Sequence, residues 1–340
     1  MIHSRIDKPE LFKLFSDVLA SGNYSEGGMV AKLEASISSI YDQFAVSFNS
    51  AGTALYSVVR VLGCKKVIVP NNTFFATGGM PKEAGCEVTL ADCSRTDLSL
   101  SVKSITEVFD NHDTVILTHV GGGMAHEYEA IAKWCDANGV MLIEDAAHTF
   151  GVTKPHKPGS LSHAAVFSFY PTKAVPVGEG GMVVTRSPEL SKDLAMFRNY
   201  GKYKSEGAVA YTGAGLNFRM DEWTSAVALH QVGRLGEIME RRGNDAAMLS
   251  AIFQPIVTWE QTNWYKFITL DSIGREYIPV RRTGMVYQRS DQLRNIKGFS
   301  TLIEMPESDF VADNYICLPV GEGMYEGMSS DQVVDYVRGV

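Results

Sequence analysis

Between about residue 44 and residue 200, short apolar, β-rich runs alternate with stretches of helical spacing. Phe44–Phe48, Lys66–Val69, Glu87–Ala91, Thr114–Val120, Val140–Glu144, Ala164–Tyr170 and Met182–Thr185 read as strands. Thr53–Leu62 has helical spacing and stops at Gly63. Glu127–Asn138 puts Ile131, Trp134 and Cys135 on one face and stops at Gly139. This alternation predicts an α/β fold, a mostly parallel central sheet flanked by helices on both faces. Beyond residue 205 the pattern weakens. Asp221–Arg241 reads as one long helix, short strands and loops follow from about residue 250, and Ser330–Arg338 reads as a closing helix. The expected division is a large unit over residues 1–235 and a smaller C-terminal α+β unit over 236–340. The N-terminal segment, to about residue 20, is expected to pack on the smaller unit.

In such sheets a ligand lies beyond the C-terminal ends of the strands. Polar residues collect there in this chain: Asn49-Ser50-Ala51-Gly52-Thr53, Pro70-Asn71-Asn72-Thr73-Phe74, Glu144-Asp145-Ala146-Ala147-His148 and Pro171-Thr172-Lys173. The first opens a helix directly after a strand, where free N–H groups and the helix dipole suit a phosphate; an ordinary capped turn has the same composition. Asp145 ends an apolar strand, where a carboxylate needs a cation, a good donor or a capping role. Lys173 follows an aromatic strand. Held against a cleft it would lose solvation and basicity and act as a nucleophile toward an aldehyde; on the surface it would do nothing. Phe74 could stack on a planar ring or fill a core.

Composition narrows the classes. A chain of 340 residues with 45% apolar and 21% charged residues is an ordinary globular protein, long enough for two cores. A net charge of −8 argues against broad binding to nucleic acid or anionic membrane, so a ligand's phosphate must be held locally. No run approaches a membrane span and the N-terminus has no signal-peptide pattern, so a cytoplasmic location is expected. The five cysteines include no C-x-x-C pair. His126-Glu127 is followed at position 130 by Ala, which breaks the zinc-protease pattern, and no metal site is expected. Walker-type phosphate loops and Ser-centred nucleophile elbows are absent.

The order of the motifs carries more than any one of them. Asn-Ser-Ala-Gly-Thr-Ala-Leu, Val-Pro-Asn-Asn-Thr-Phe-Phe-Ala-Thr, Ile-Glu-Asp-Ala-Ala-His and Phe-Ser-Phe-Tyr-Pro-Thr-Lys are followed by Gly-Glu-Gly-Gly, Arg-Asn-Tyr-Gly and Gly-Leu-Asn-Phe-Arg-Met. This succession, over about residues 20–240, resembles the DegT/DnrJ/EryC1/StrS family of sugar aminotransferases. The resemblance implies an aspartate-aminotransferase-like fold type I enzyme that uses pyridoxal 5'-phosphate. It implies Lys173 as the lysine joined to the cofactor's aldehyde, Asp145 as partner of the pyridine nitrogen, His148 near the ring hydroxyl and Phe74 stacked on the ring. Gly52, Thr53, Ala54 and Ser168 match phosphate contacts. Asn217 matches a residue reaching the phosphate of the neighbouring subunit, which implies a homodimer with shared active sites.

The implied reaction moves an amino group from glutamate or glutamine to a keto-sugar, by family default a nucleotide-linked hexose. A free or phosphorylated keto-sugar or a cyclitol precursor are alternatives. A sugar dehydratase with the same cofactor carries His where this chain has Lys173, and a non-catalytic sensor would not need the Lys173–Asp145 pair. Arg198, Lys202, Lys204 and Arg219 form a local group of cations that could meet an anionic sugar. Three departures stand out: Ala51 in place of a serine, the run Gly121-Gly122-Gly123, and a short C-terminal half.

Overall fold

The structure, a computed structural model, describes residues 8–205, 207–270, 284–285, 287–301 and 303–338. Seven strands form the main sheet: β1 (Phe44–Phe48), β2 (Lys66–Pro70), β3 (Glu87–Ala91), β4 (Thr114–Thr118), β5 (Met141–Asp145), β6 (Ala164–Ser168) and β7 (Gly181–Thr185). Their order across the sheet is β1-β7-β6-β5-β4-β2-β3. Pairs β2/β3, β2/β4, β4/β5 and β5/β6 are parallel, while β7 is antiparallel to both β6 and β1. Only β7 therefore opposes the rest, and the C-terminal ends of six strands share one edge.

Period-two side-chain alternation sends each strand's apolar residues to opposite faces. On one face Val46, Val67, Ile116, Ile143 and Val183 pack with Leu55, Val58 and Val59 of helix α3 (Ala51–Leu62). On the other, Ala45, Ala165, Phe167 and Val184 meet Leu33, Ile37 and Tyr41 of α2 (Gly28–Tyr41). Burying each large apolar side chain contributes about 1.5–3 kcal/mol, which makes these faces the main source of stability. The sequence reading places the strand ends of the main sheet within two residues: β4 and β6 stop two residues earlier than expected, and β5 runs one residue further, so Asp145 is its last residue.

Two expectations change. The long helix is two, α8 (Glu222–Gly233) and α9 (Leu235–Ser250), broken at Arg234, whose N–H turns back to the Gln231 carbonyl. Gly233 and Gly236 flank the break and weaken helix there. The first helix, α1 (Lys8–Ser21), lies on α8, where the sequence reading put it on the C-terminal unit. Val18 packs with Met29 and Ala226, and Phe15 meets Trp223 edge to face at 5.7 Å, an apolar seam that decides its place. Glu222 ties α8 to α2 by accepting from the N–H groups of Gly27, Met29 and Val30 at 2.8–3.0 Å.

The intervening helices are α4 (Phe75–Glu83), α5 (Val102–Val108), α6 (Tyr128–Asn138) and α7 (Pro188–Phe197). Strands β8 (Lys202–Ser205) and β9 (Ala208–Tyr211) form a hairpin that periodicity did not reveal. Further on, β10 (Phe267–Leu270), β12 (Tyr315–Leu318) and β11 (Gly284–Met285) form a small antiparallel sheet with β12 in the middle, and α10 (Pro306–Asn314) and α11 (Ser330–Arg338) complete the chain. Ala246 and Leu249 of α9 share a core with Phe267, Ile316, Leu318 and Val333. Among the described residues no helix is long and apolar enough to cross a membrane, and no group of three His, Cys, Asp or Glu side chains could hold a metal ion.

Candidate active site

The shared strand edge opens into a cavity of about 820 Å³. Five of the six strands that share this edge, all but β3, contribute to its wall, in keeping with the topology. Ser50 and Gly52 follow β1, Thr73 and Phe74 follow β2, Thr118 ends β4, Asp145 ends β5 and Ser168 ends β6.

Lys173 lies in the loop after β6, its N–H bonded to the Tyr170 carbonyl at 2.9 Å. Its Nζ donates to the hydroxyl of Tyr265 at 3.5 Å and stands 4.6 Å from the centre of that ring. Burial lowers the amine below the usual lysine value; Tyr265 and Asp145 oppose the shift and Lys266 adds to it. A less basic amine is a better nucleophile near neutral pH.

Asp145 faces the same space. Its Oδ2 accepts from Thr77 Oγ1 at 2.6 Å and its Oδ1 from the Ala147 N–H at 3.2 Å. The chain of hydroxyls behind it has a fixed sense. Because Thr77 donates to the carboxylate, Thr73 must donate to Thr77 at 2.7 Å, and Thr118 to Thr73 at a longer 3.3 Å. The carboxylate is thus held by donors and has room for one more.

His148 stacks on Tyr265, with ring centres 4.3 Å apart and a tilt of 35°. Burial, then the nearby Lys173 and Lys266, keep its imidazole well below the usual histidine value. It is a neutral ring whose Nδ1 accepts from the Gly121 N–H at 3.4 Å, which leaves its hydrogen on Nε2. Phe74 is 72% exposed at the cavity mouth, a large apolar face that the core does not use.

Ser50 caps α3, and its Oγ accepts from the Thr53 N–H at 3.1 Å. Thr53 and Ala54 do not line the cavity. The Thr53 hydroxyl is turned back to Asn49 Oδ1 at 2.6 Å, the Ala54 N–H goes to the Ser50 carbonyl, and the Ala54 methyl is in the core. The first-turn N–H groups of Ala51 and Gly52, which have no intrahelical acceptor, remain for an anion. Gly181 makes room for this turn: a Cβ there would stand 2.5 Å from the Ser50 carbonyl and 2.6 Å from the Ala51 nitrogen.

Asn217 bridges to Asn199 and does not line the cavity of its own chain. The cation group named from the sequence is also elsewhere. Arg198 is buried against Glu34 and the Ser47 carbonyl, and Arg219 bonds Asn199 at 2.6 Å. Lys202 does not line the cavity, and the Lys204 side chain lies outside the described residues. The cavity's own second lysine is Lys266.

The sequence reading missed Thr77, Gly181, Tyr265, Lys266 and Tyr287. Thr77 follows Thr73 by one helical turn, a spacing that could have placed both hydroxyls on one side. Tyr265, Lys266 and Tyr287 have no local signature, because tertiary docking alone brings them to the wall.

A buried amine of reduced basicity, facing a donor-held carboxylate across a space with an open helix N-terminus, fits pyridoxal phosphate in charge and shape. Residues 5–268 match the DegT/DnrJ/EryC1/StrS aminotransferase family. The chain belongs to that family. As a family member it is a pyridoxal-phosphate-dependent aminotransferase of fold type I. The chain is 27% identical to the spore coat polysaccharide biosynthesis protein SpsC of Bacillus subtilis, over 98% of this chain and 94% of that protein. It is 31% identical to the dTDP-3-amino-3,4,6-trideoxy-alpha-D-glucose transaminase of Streptomyces venezuelae, over 68% of this chain and 62% of that one. The crystal structure of S. venezuelae DesV superposes with a TM-score of 0.86 at 25% identity, covering 97% of this aminotransferase and 93% of DesV.

Proposed function

We propose that this aminotransferase moves an amino group from glutamate or glutamine to a nucleotide-linked keto-sugar. One observation carries the reading: Lys173 and Asp145, an amine of lowered basicity and a donor-held carboxylate, face one cavity. The sugar substrate is supported by a relative that is a dTDP-amino-sugar transaminase and another that serves polysaccharide biosynthesis.

Pyridoxal phosphate supplies an aldehyde and a ring that draws electrons from the carbon losing its proton. The chain's residues do the rest. Lys173 would hold the cofactor's aldehyde, and its Nζ would serve as the base that moves the proton. Asp145 would pair with the ring nitrogen, and the hydroxyl of Thr77 holds that carboxylate in place. Phe74 would cover one face of the ring, and His148, with its hydrogen on Nε2, would lie near the ring hydroxyl. Ser50, Ala51, Gly52 and Ser168, which line the cavity, would hold the phosphate. Asn217 of a second copy completes that seat in a homodimer with shared sites, a role supported by its exposed place outside its own cavity. The core that α9 shares with the C-terminal sheet supports a unit boundary near residue 235.

The test is a panel of keto-sugars, free, phosphorylated and nucleotide-linked, incubated with glutamate while 2-oxoglutarate is measured. Turnover confined to the nucleotide-linked sugars is expected. Equal turnover of free sugars would refute the nucleotide, and dehydration without 2-oxoglutarate would refute amino transfer.

A further inference from the structure

Three consecutive glycines decide where Lys266 sits. Gly121, Gly122 and Gly123 follow β4. A Cβ at position 123 would lie 2.2 Å from the Trp259 ring, and one at 122 would lie 2.7 Å from the Tyr265 nitrogen. The bare backbone lets residues 259–266 lie directly on this loop. The Asn263 N–H donates to the Gly122 carbonyl at 3.0 Å and the Lys266 N–H to the Gly121 carbonyl at 2.9 Å. From α9, the buried Arg242 donates to the carbonyls of Asn263, Trp264 and Tyr265 at 2.8–3.2 Å. The docked segment delivers Tyr265 and Lys266 to the cavity wall. Lys266 Nζ stands 5.3 Å from the centre of the Tyr287 ring and 6.0 Å from that of Tyr265, the ring Lys173 also faces.

We infer that Lys266 is the seat of the amino donor's α-carboxylate. The inference rests on the aminotransferase reading above. Lys173 and Lys266 are the lysines that line the cavity among the described residues, and no arginine does. Lys173 is taken by the aldehyde. An α-carboxylate is bonded to the carbon that reacts, so its cation must stand close to Lys173, and the two lysines share one aromatic ring. A diphosphate on a sugar is separated from the keto carbon by the sugar ring and reaches further out. In a chain of net charge −8, general attraction cannot select an anion, so a local cation must do so. Two aromatic rings stand beside the ammonium of this half-buried lysine and hold it at the cavity wall. Arrival of that anion also offsets the charge with which Lys266 acts on Lys173.

The experiment uses the holoenzyme and its visible absorbance. The probe is 2-methylglutamate, which has no α-hydrogen to lose, so its titration reads binding alone. Lys266→Met should raise its Kd by about 10- to 100-fold, the size of a lost charged hydrogen bond, and Lys266→Arg should restore most of the affinity. The KM for the keto-sugar should move by less than about threefold in both variants. An unchanged Kd in Lys266→Met, or a rise in sugar KM in its place, would overturn the assignment. A wild-type spectrum that ignores glutamate, glutamine and 2-methylglutamate alike would overturn the donor reading, and this inference with it.

Discussion

The hydroxyl of Tyr265 accepts from the amine of Lys173 at 3.5 Å across a separation of 92 positions in sequence. Each group moves the other's ionisation. Burial raises the Tyr265 phenol, but Lys173, Lys266 and the Thr172 hydroxyl together outweigh it and leave the phenol below its usual value. Tyr265 in turn raises the Lys173 amine, against the larger effect of burial. Tyr265→Phe should therefore lower the amine further. In apoenzyme, the pH midpoint for capture of pyridoxal phosphate should move to lower pH. A midpoint that moves up would contradict this coupling.

Lys173→Ala should lose several orders of magnitude in rate while still binding the cofactor through the α3 turn, Asp145 and Phe74, since nucleophile and proton carrier vanish together. Arginine should not rescue it, because a guanidinium stays protonated. Borohydride reduction of the native enzyme followed by mass mapping should place the cofactor on Lys173; a label on any other lysine would end the mechanism.

Asp145→Ala should slow turnover by roughly 100-fold or more. Thr77→Val removes the donor that holds the carboxylate and should lower kcat by about tenfold, with Thr77→Ser within about threefold of wild type. The absorbance of the bound cofactor as a function of pH should shift in Thr77→Val and recover in Thr77→Ser. Matching spectra for all three proteins would make Thr77 a bystander.

His148 stays neutral in the folded state, with its value depressed well below 6.5. The unfolded chain takes up a proton there as pH falls through about 6.5, and the folded chain does not, so stability declines on acidification by up to about 1.4 kcal/mol per pH unit from this group. His148→Gln should flatten that part of the curve. Urea midpoints between pH 7 and pH 5 measure it, and an unchanged slope would show that the folded imidazole titrates normally.

Gly123→Ala forces a methyl into the Trp259 ring and should cost about 1–3 kcal/mol in urea unfolding. Combination with Trp259→Ala should recover part of the loss. Full stability of the single variant would mean that the segment bearing Tyr265 and Lys266 shifts without cost.

The parts of the site legible in the sequence are those fixed by a strand end. Asp145 and Lys173 sit where apolar runs stop, so finding the runs finds them; Ser168 lies inside the expected run 164–170 and was named through the family resemblance alone. Thr53 and Ala54 were named from a motif, which identifies a turn without saying which of its atoms face the cavity; in the structure the Thr53 hydroxyl donates to Asn49 Oδ1. Arg198 looked like a ligand cation because its partner Glu34 is 164 positions away in sequence. Tyr265 and Lys266 lie in a stretch of no strong periodicity, and the glycines that place them stood out only as a departure. The break at Arg234 escaped notice since apolar spacing continues across it.

Strand β1 emerges first during synthesis, yet β7 is its sole neighbour in the sheet. Strands β2 to β6 can join one another in the order they leave the ribosome. Phe44–Phe48 must wait until Gly181–Thr185 has been made, and the N-terminus of α2 must wait longer, for Glu222. The nascent chain therefore carries its first hydrophobic strand unpaired through most of the synthesis of the sheet, and this segment is where a chaperone has the longest time to bind.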